Sequence, residues 1–151
     1  MRFFYLIFLS LAITSCTSKK KEDLSNYMLG KWETQYIKIE MPTVNKTDSL
    51  SVFEDDFSKP NSGRAQSKYN KDGTFSAWFK LANGSEVDKT SGNWKTKGDS
   101  LFVDYFYNGK QVSTWYYIKQ TEIGFNGTVI YDWDNDGEFD DTLYMKSKKI
   151  K

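Results

Sequence analysis

The chain has 151 residues, of which 17% are aromatic, and its 21 lysines and arginines nearly balance its 20 aspartates and glutamates. This length suits one domain with its own core, and the near-neutral charge argues against a nucleic-acid partner. The sequence contains no histidine, which excludes Ser-His and Cys-His catalytic pairs and the usual zinc ligands. The remaining carboxylates, tyrosines and lysines show no spacing typical of an active site, so we expect the protein not to be an enzyme.

The first predicted element is a secretory signal peptide at residues 1–15. A basic residue at Arg2 precedes an apolar run at 3–13, which is too short to span a bilayer, and small residues lead to Cys16. The segment "ITSC" resembles the lipobox of bacterial lipoproteins, in which the cysteine is acylated and becomes the new N-terminus. The resemblance implies palmitate-type acylation of Cys16 and a membrane as partner. The alternative is a soluble secreted protein with an ordinary cleavage site.

Residues 16–26 are polar and charged, and we expect them to form a flexible acylated tether. The stretch "KKKED" resembles the lysine-then-acidic signals that send lipoproteins of the Bacteroidota to the cell surface, and a solvated linker is the alternative. Thr17 stands where an aspartate retains enteric lipoproteins in the inner membrane. The expected location is therefore the cell envelope, at the outer membrane, on either its periplasmic or its outer face.

Residues 27–151 are typical of one all-β domain, in which short strands alternate with turn signals. The Asp-Gly pairs in "NKDG" at 70–73 and "NDGE" at 135–138 favour tight hairpins because their residues adopt positive φ at little cost. A series of antiparallel strands removes its edges by closing into an up-and-down barrel. The predicted strands, about eight in number, are residues 31–41, 64–70, 73–81, 86–96, 100–107, 111–119, 122–133 and 138–146.

The first strand begins with "LGKWE", in which Gly30 and Trp32 resemble the Gly-x-Trp start of lipocalins. The later "DGTF", "GNWK" and "GDSLFV" are similar in order to those of lipocalin-like lipoproteins of the Bacteroidota, and the resemblance covers most of residues 27–146. It implies a lipocalin-like barrel. One departure concerns the arginine that lipocalins pack over this tryptophan, because Arg64 is the only arginine after the signal. Lys146 or Lys148 is the expected substitute.

The connection at residues 42–63 is long and contains apolar side chains at Leu50, Val52, Phe53 and Phe57. Long connections without strands are usually functional or disordered. By resemblance to lipocalins, this segment is expected to form an apolar lid or short helix over the cavity mouth. A mobile acidic surface loop is the alternative.

What a barrel of this class binds depends on the side chains inside it. We expect an aromatic lining and therefore a small hydrophobic or amphipathic ligand. The alternative is a structural or interaction lipoprotein with a filled barrel, which docks a protein partner or an envelope glycan through exposed aromatic side chains. An empty, connected cavity would distinguish the two, and no pattern in the sequence indicates an oligomeric state. The candidate lining residues are Phe75, Phe79, Trp94, Tyr105, Trp115 and Tyr117.

The segment "DWDNDGEFDD" at 132–141 concentrates acidic side chains. Asp132, Asp134 and Asp136 alternate, and Asp140 follows the glycine by three residues, which resembles the loops of EF-hand-like calcium sites. With the carbonyl of Glu138, these residues would bind calcium weakly, at roughly 10⁻⁴ to 10⁻³ M, because a leucine stands where an EF-hand has its bidentate glutamate. The alternative is a type I′ hairpin turn at 136–137 surrounded by solvated acids. Calcium is the only candidate cofactor.

Overall fold

The computed structural model describes residues 22–44, 47, 49–59, 62–107 and 109–151. The predicted signal peptide, Cys16 and the first part of the tether lie outside the described residues. The first described element is a short helix, α1 (Leu24–Met28), whose N-terminus is capped by the Asp23 side chain accepting from the backbone N–H of Ser25. Residues 24–26, which the sequence analysis assigned to the tether, therefore belong to this helix.

In the part of the chain that the structure describes, nine strands follow the helix and form one antiparallel sheet in the order β2-β1-β3-β4-β5-β6-β7-β8-β9. Pairing of β1 with β9 closes the sheet, so β1 and β3 to β9 form an eight-stranded up-and-down barrel with β2 as an extra strand. The predicted all-β barrel is confirmed. The strands are β1 (Gly30–Met41), β2 (Ser51–Asp55), β3 (Arg64–Tyr69), β4 (Thr74–Lys80), β5 (Glu86–Lys97), β6 (Ser100–Tyr107), β7 (Lys110–Gln120), β8 (Gly124–Tyr131) and β9 (Asp141–Ile150).

Short turns connect most neighbouring strands of the barrel, and the turn between β3 and β4 shows how. The N–H of Gly73 donates to the carbonyl of Asn70, and the N–H of Asn70 donates to the carbonyl of Thr74. Gly73 has a φ of 83°, a conformation that glycine adopts without the steric cost of a Cβ. Tight turns of this kind fix the register of each hairpin.

Strand β1 is long enough to pair with two strands on the same edge. Its first half pairs with β3, its second half pairs with β2, and its opposite edge pairs with β9 along most of its length. Strand β2 lies in the segment expected to form an apolar lid or short helix, and that expectation is wrong for residues 51–55. Leu50, Val52 and Phe53 are exposed, whereas Phe57 is buried.

Helix α1 closes one end of the barrel through contacts with the first tryptophan of the domain. Trp32 is 1% exposed, its Nε1 donates to the carbonyl of Met28 at 2.7 Å, and its ring meets that of Phe125 edge-on at 4.9 Å. The ammonium of Lys149 lies 5.2 Å from the Trp32 ring centroid. The cation over this tryptophan is therefore Lys149, and the expected substitutes Lys146 and Lys148 instead contact Tyr36 and Glu33.

Among the described residues, the helix is too short to cross a membrane. The buried core lies mostly on the side of the barrel that α1 closes, where aromatic rings from several strands meet. Tyr69 contacts Phe75 at 5.0 Å and Trp94 at 5.4 Å between ring centroids. This core forms the floor beneath the upper half of the barrel interior.

Candidate ligand-binding cavity

The interior of the barrel above this floor is a cavity of about 230 Å³. Alternate residues of each strand point inward, and every strand of the barrel supplies side chains to the interior. Apolar side chains such as Ile37, Val103 and Met145 form much of its wall. Two exposed lining residues, Asp88 and Tyr107, mark the end at which it opens.

The mouth lies opposite α1, because the connections β4–β5, β6–β7 and β8–β9 all lie at that end of an up-and-down barrel. The loop between β8 and β9, residues 132–140, contributes Trp133 to the cavity wall. Thr43, which follows β1, donates through Oγ1 to the carboxylates of Glu138 and Asp140 at 3.1 and 3.0 Å. The acidic loop is thus held against the β1–β2 connection at the rim of the cavity.

Four of the six predicted lining residues lie on the inside of the barrel. Phe75, Phe79 and Tyr105 line the cavity. Trp94 lies lower, in the core, and its Nε1 donates to the carbonyl of Asn70 at 2.9 Å. These placements put the aromatic side chains on the inner wall, and contact with a ligand remains a prediction.

Trp115 and Tyr117 lie on the outer face of β7 and are 41% and 58% exposed. The expectation that they line the interior is therefore wrong. Their strand is apolar on both faces, so its pairing with β6 shows which residues point inward. Trp115 lies opposite Phe102, whereas Tyr116 lies opposite the buried Leu101. Tyr116 is consequently the aromatic lining residue of β7, which the sequence analysis missed.

Three of the polar groups of the inner wall are buried or half-buried phenols. Tyr69, Tyr105 and Tyr116 come from β3, β6 and β7 and all line the cavity. Burial raises the pKa of Tyr105 to about 12, and it raises the pKa values of Tyr69 and Tyr116 as well, which further interact with each other and with Tyr105. The three hydroxyls therefore stay neutral over the physiological pH range and can donate hydrogen bonds.

The acidic loop is longer than the predicted hairpin turn. Tyr131 pairs with Asp141, which leaves residues 132–140 outside the ladder, so the type I′ turn at 136–137 is wrong. The loop bends instead through side-chain contacts two residues apart. Asp134 Oδ1 accepts from the N–H of Asp136, and Asp136 Oδ1 accepts from the N–H of Glu138, at 3.0 and 2.8 Å.

The carboxylates that lie together are those of Asp132, Asp134 and Asp141, whose nearest ligand atoms are all within 4.8 Å of one another. Asp141 was absent from the predicted calcium set, and the structure does not bring Asp136, Glu138 or Asp140 into this group. Asp141 is 1% exposed, and its Oδ2 accepts from the backbone N–H groups of Trp133 and Asp134.

Burial raises the pKa of Asp141, the two backbone donors lower it, and the neighbouring Asp134 and Asp140 raise it further, with a net increase. Two further atoms of the loop are buried without a hydrogen-bond partner among the described residues, Asp132 Oδ1 and the indole Nε1 of Trp133. The first is an acceptor and the second can only donate. The loop therefore carries unused hydrogen-bonding capacity next to the cavity.

Comparison with known proteins gives a likeness of fold. No protein-family model matches the chain, and no curated protein matches it significantly. Among solved structures, the chain is similar to a lipocalin-like protein from Bacteroides uniformis ATCC 8492, with 12% sequence identity and a TM-score of 0.45, over 82% of this chain and 98% of that chain. That description is of a fold and names no ligand.

Proposed function

We propose that the protein binds a small hydrophobic or amphipathic molecule inside its barrel. The observation that carries the proposal is the cavity of about 230 Å³, whose wall is mostly aromatic and aliphatic and which opens at one end. Ligand sites are typically such concave, mostly apolar spaces with a few polar groups. Since a water molecule occupies about 30 Å³ in the liquid, the cavity suits a ligand of roughly eight non-hydrogen atoms inside the barrel.

A cavity-filling substitution tests this proposal. Ala77 lines the cavity from β4, so Ala77→Leu would occupy space that a ligand needs while leaving the backbone hydrogen bonds intact. In calorimetric titrations, we expect toluene to bind the unaltered domain. Its affinity for the Ala77→Leu variant should be at least tenfold lower. The matched control is Ala82→Leu, in the exposed turn after β4. Toluene binding that is absent, or equal in both variants, would contradict the proposal.

The interaction alternative is supported by a different surface. On the outer face of β6 and β7, the rings of Phe102 and Trp115 lie 5.1 Å apart, and the ammonium of Lys95 lies over both rings. Exposed aromatic side chains with neighbouring charge are common at the centres of interfaces. A partner or glycan docked there would leave the cavity free, so Trp115→Ala would abolish docking without changing toluene affinity.

We further propose that the protein is a lipoprotein of the cell envelope, anchored to the outer membrane through Cys16. The support is the sequence of residues 1–16, with its basic start, short apolar run and lipobox-like end. Two or more acyl chains hold a protein stably on a membrane where one does not. A tether of the polar residues after Cys16 would then hold the barrel close to the bilayer.

We also propose that the acidic loop binds calcium, through Asp132, Asp134 and Asp141 and not through the ligand set that the sequence predicted. The support is the proximity of these three carboxylates and the buried, unpartnered Oδ1 of Asp132. Calcium takes six to eight oxygen ligands, and hydrogen bonds already occupy Asp141 Oδ2. Water would have to complete the coordination, which is consistent with weak binding.

A further inference from the structure

We propose that the cavity selects amphipathic ligands with a neutral hydrogen-bond acceptor, such as a hydroxyl, ketone or ester oxygen, and discriminates against carboxylates. The inference rests on the proposed function, because it assigns a chemical class to the ligand of the same cavity. It is carried by the placement of three phenol hydroxyls in an interior wall that is otherwise mostly apolar and holds no cationic side chain among the described residues.

The phenols form one polar patch on an apolar wall. Tyr69, Tyr105 and Tyr116 reach the interior from three strands, and the rings of Tyr69 and Tyr105 both pack against Phe75, at 5.0 and 5.4 Å between centroids. Tyr105 and Tyr116 also share a hydrogen bond. Tyr69 also forms a hydrogen bond with Ser67. A ligand oxygen at this patch would accept from the phenol hydroxyls, each of which has one proton to donate.

The inner wall of the cavity disfavours a buried anion. A carboxylate directed inward meets phenols but no lysine or arginine among the described lining residues, and a buried charge without a counterion is strongly unfavourable. At the mouth, Asp88 and the acidic loop are negative, whereas Arg64 and Lys80 pair at the mouth ends of β3 and β4. The rim therefore carries both charges, and the discrimination against carboxylates arises from the inner wall.

The mouth carries one further buried donor. The indole Nε1 of Trp133, a group that can only donate, is buried without an acceptor among the described residues, in a residue that lines the cavity. A neutral acceptor on the ligand could accept from the phenols or from this indole.

The first test compares ligands that share one alkyl chain. We expect 1-octanol to bind the domain at least about tenfold more tightly than octanoate in calorimetric titrations near neutral pH. Octanoate binding as tightly as octanol would overturn the inference. Because water retains ions more strongly than alcohols, this comparison needs a second measurement on the phenols themselves.

The second test removes one phenol hydroxyl. Tyr116→Phe is expected to weaken octanol binding by about five- to tenfold, which corresponds to one lost hydrogen bond, and to leave toluene binding unchanged. Its matched control is Tyr117→Phe, at the next residue of β7 but on the outer face, which is expected to change neither affinity. Tyr105→Phe provides an independent variant should Tyr116→Phe fail to fold.

The two proposals fail in different ways. If neither toluene nor octanol binds the unaltered domain, the proposed function is wrong, and the inference falls with it. If toluene and octanol both bind but Tyr116→Phe and Tyr105→Phe leave octanol affinity unchanged, the cavity binds ligands by apolar contact alone. In that case the inference is overturned and the proposed function stands.

Discussion

Trp32 is the largest side chain that the barrel buries completely, and replacing it tests whether this end of the barrel is closed as described. Trp32→Ala removes a ring that packs against Phe125 and under Lys149, and it leaves the carbonyl of Met28 without its donor. Truncation of a buried aromatic side chain to alanine typically costs about 3 to 5 kcal/mol. We expect the upper part of this range, because a buried carbonyl also loses its hydrogen bond.

Two milder variants separate the contributions. Trp32→Phe keeps much of the packing but removes the indole donor, so the expected loss in free energy of unfolding is about 1 to 3 kcal/mol. Trp115→Ala removes a tryptophan of the same size from the outer face, where it stacks on Phe102 and is 41% exposed. Its expected cost is about 1 kcal/mol, which is typical of an exposed aromatic pair.

The free energy of unfolding would be measured by urea titration followed by far-ultraviolet circular dichroism, with calorimetry to confirm a single transition. For a domain of this size the loss in Trp32→Ala corresponds to a decrease in Tm of about 10 to 20 °C. Equal losses in Trp32→Ala and Trp115→Ala would show that Trp32 is not a closing residue and would refute the described packing of α1 on the barrel.

Three further predictions concern the anchor, the acidic loop and a close strand contact. Cys16→Ser is expected to abolish membrane retention, measured by fractionation and acyl labelling, and retention of the variant would contradict the lipoprotein proposal. Calcium at 5 mM adds about 1 to 2 kcal/mol for a site of 10⁻⁴ to 10⁻³ M, so Tm rises by a few degrees, an effect that Asp132→Asn removes and Asp136→Asn keeps. Identical melting in calcium and in chelator would contradict this. Gly124→Ala is expected to destabilise the barrel by more than about 2 kcal/mol, because its Cβ would lie 1.9 Å from the carbonyl oxygen of Ser147. In Gly127→Ala the nearest atom to the new Cβ belongs to the flexible side chain of Met145, at 3.2 Å, so equal stabilities of the two variants would refute the contact at Gly124.

The strands of the barrel were predictable because each hairpin is specified locally. Turn signals such as "NKDG" and "KGDS" lie between apolar alternations, and positive φ at Gly73 and Gly98 is needed where the chain reverses. Once the order of antiparallel strands is known, closure between the first and the last is the economical way to satisfy their edges. The barrel therefore follows from many short-range features that agree with one another.

Strand β2 was not predictable by the same route. The residues "SVFED" show no alternation between a buried and a solvent face, and four of the five are exposed in the barrel. What makes them a strand is the free second half of β1, whose residues 37–41 have backbone groups left unpaired by β3. The need to pair these backbone groups arises from contacts distant in sequence, and a local sequence pattern does not report such contacts.

The lining of β7 was predicted with the wrong parity for a related reason. Trp115, Tyr116 and Tyr117 are consecutive aromatic residues, so hydrophobicity does not distinguish the inner from the outer face. The strand itself contains a clue at its ends, since Val112 and Ile118 share the parity of Tyr116 and both are almost fully buried. Extending the two-residue period along the whole strand places Tyr116 inside the barrel. It therefore predicts a phenol hydroxyl on the inner wall.

The acidic loop shows why spacing alone did not identify the carboxylates that lie together. A ligand set assigned by sequence offset assumes that alternate acids point toward a common centre, but Asp134 and Asp136 each accept from a backbone N–H two residues ahead. Asp141 joins Asp132 because the ladder between β8 and β9 ends at the pair Tyr131 and Asp141. The grouping of carboxylates is thus a product of strand register, and a one-residue slip of β9 would disperse it. We therefore predict that a cation at this loop binds the closed barrel and not the isolated peptide "DWDNDGEFDD", because only the fold brings the carboxylates together.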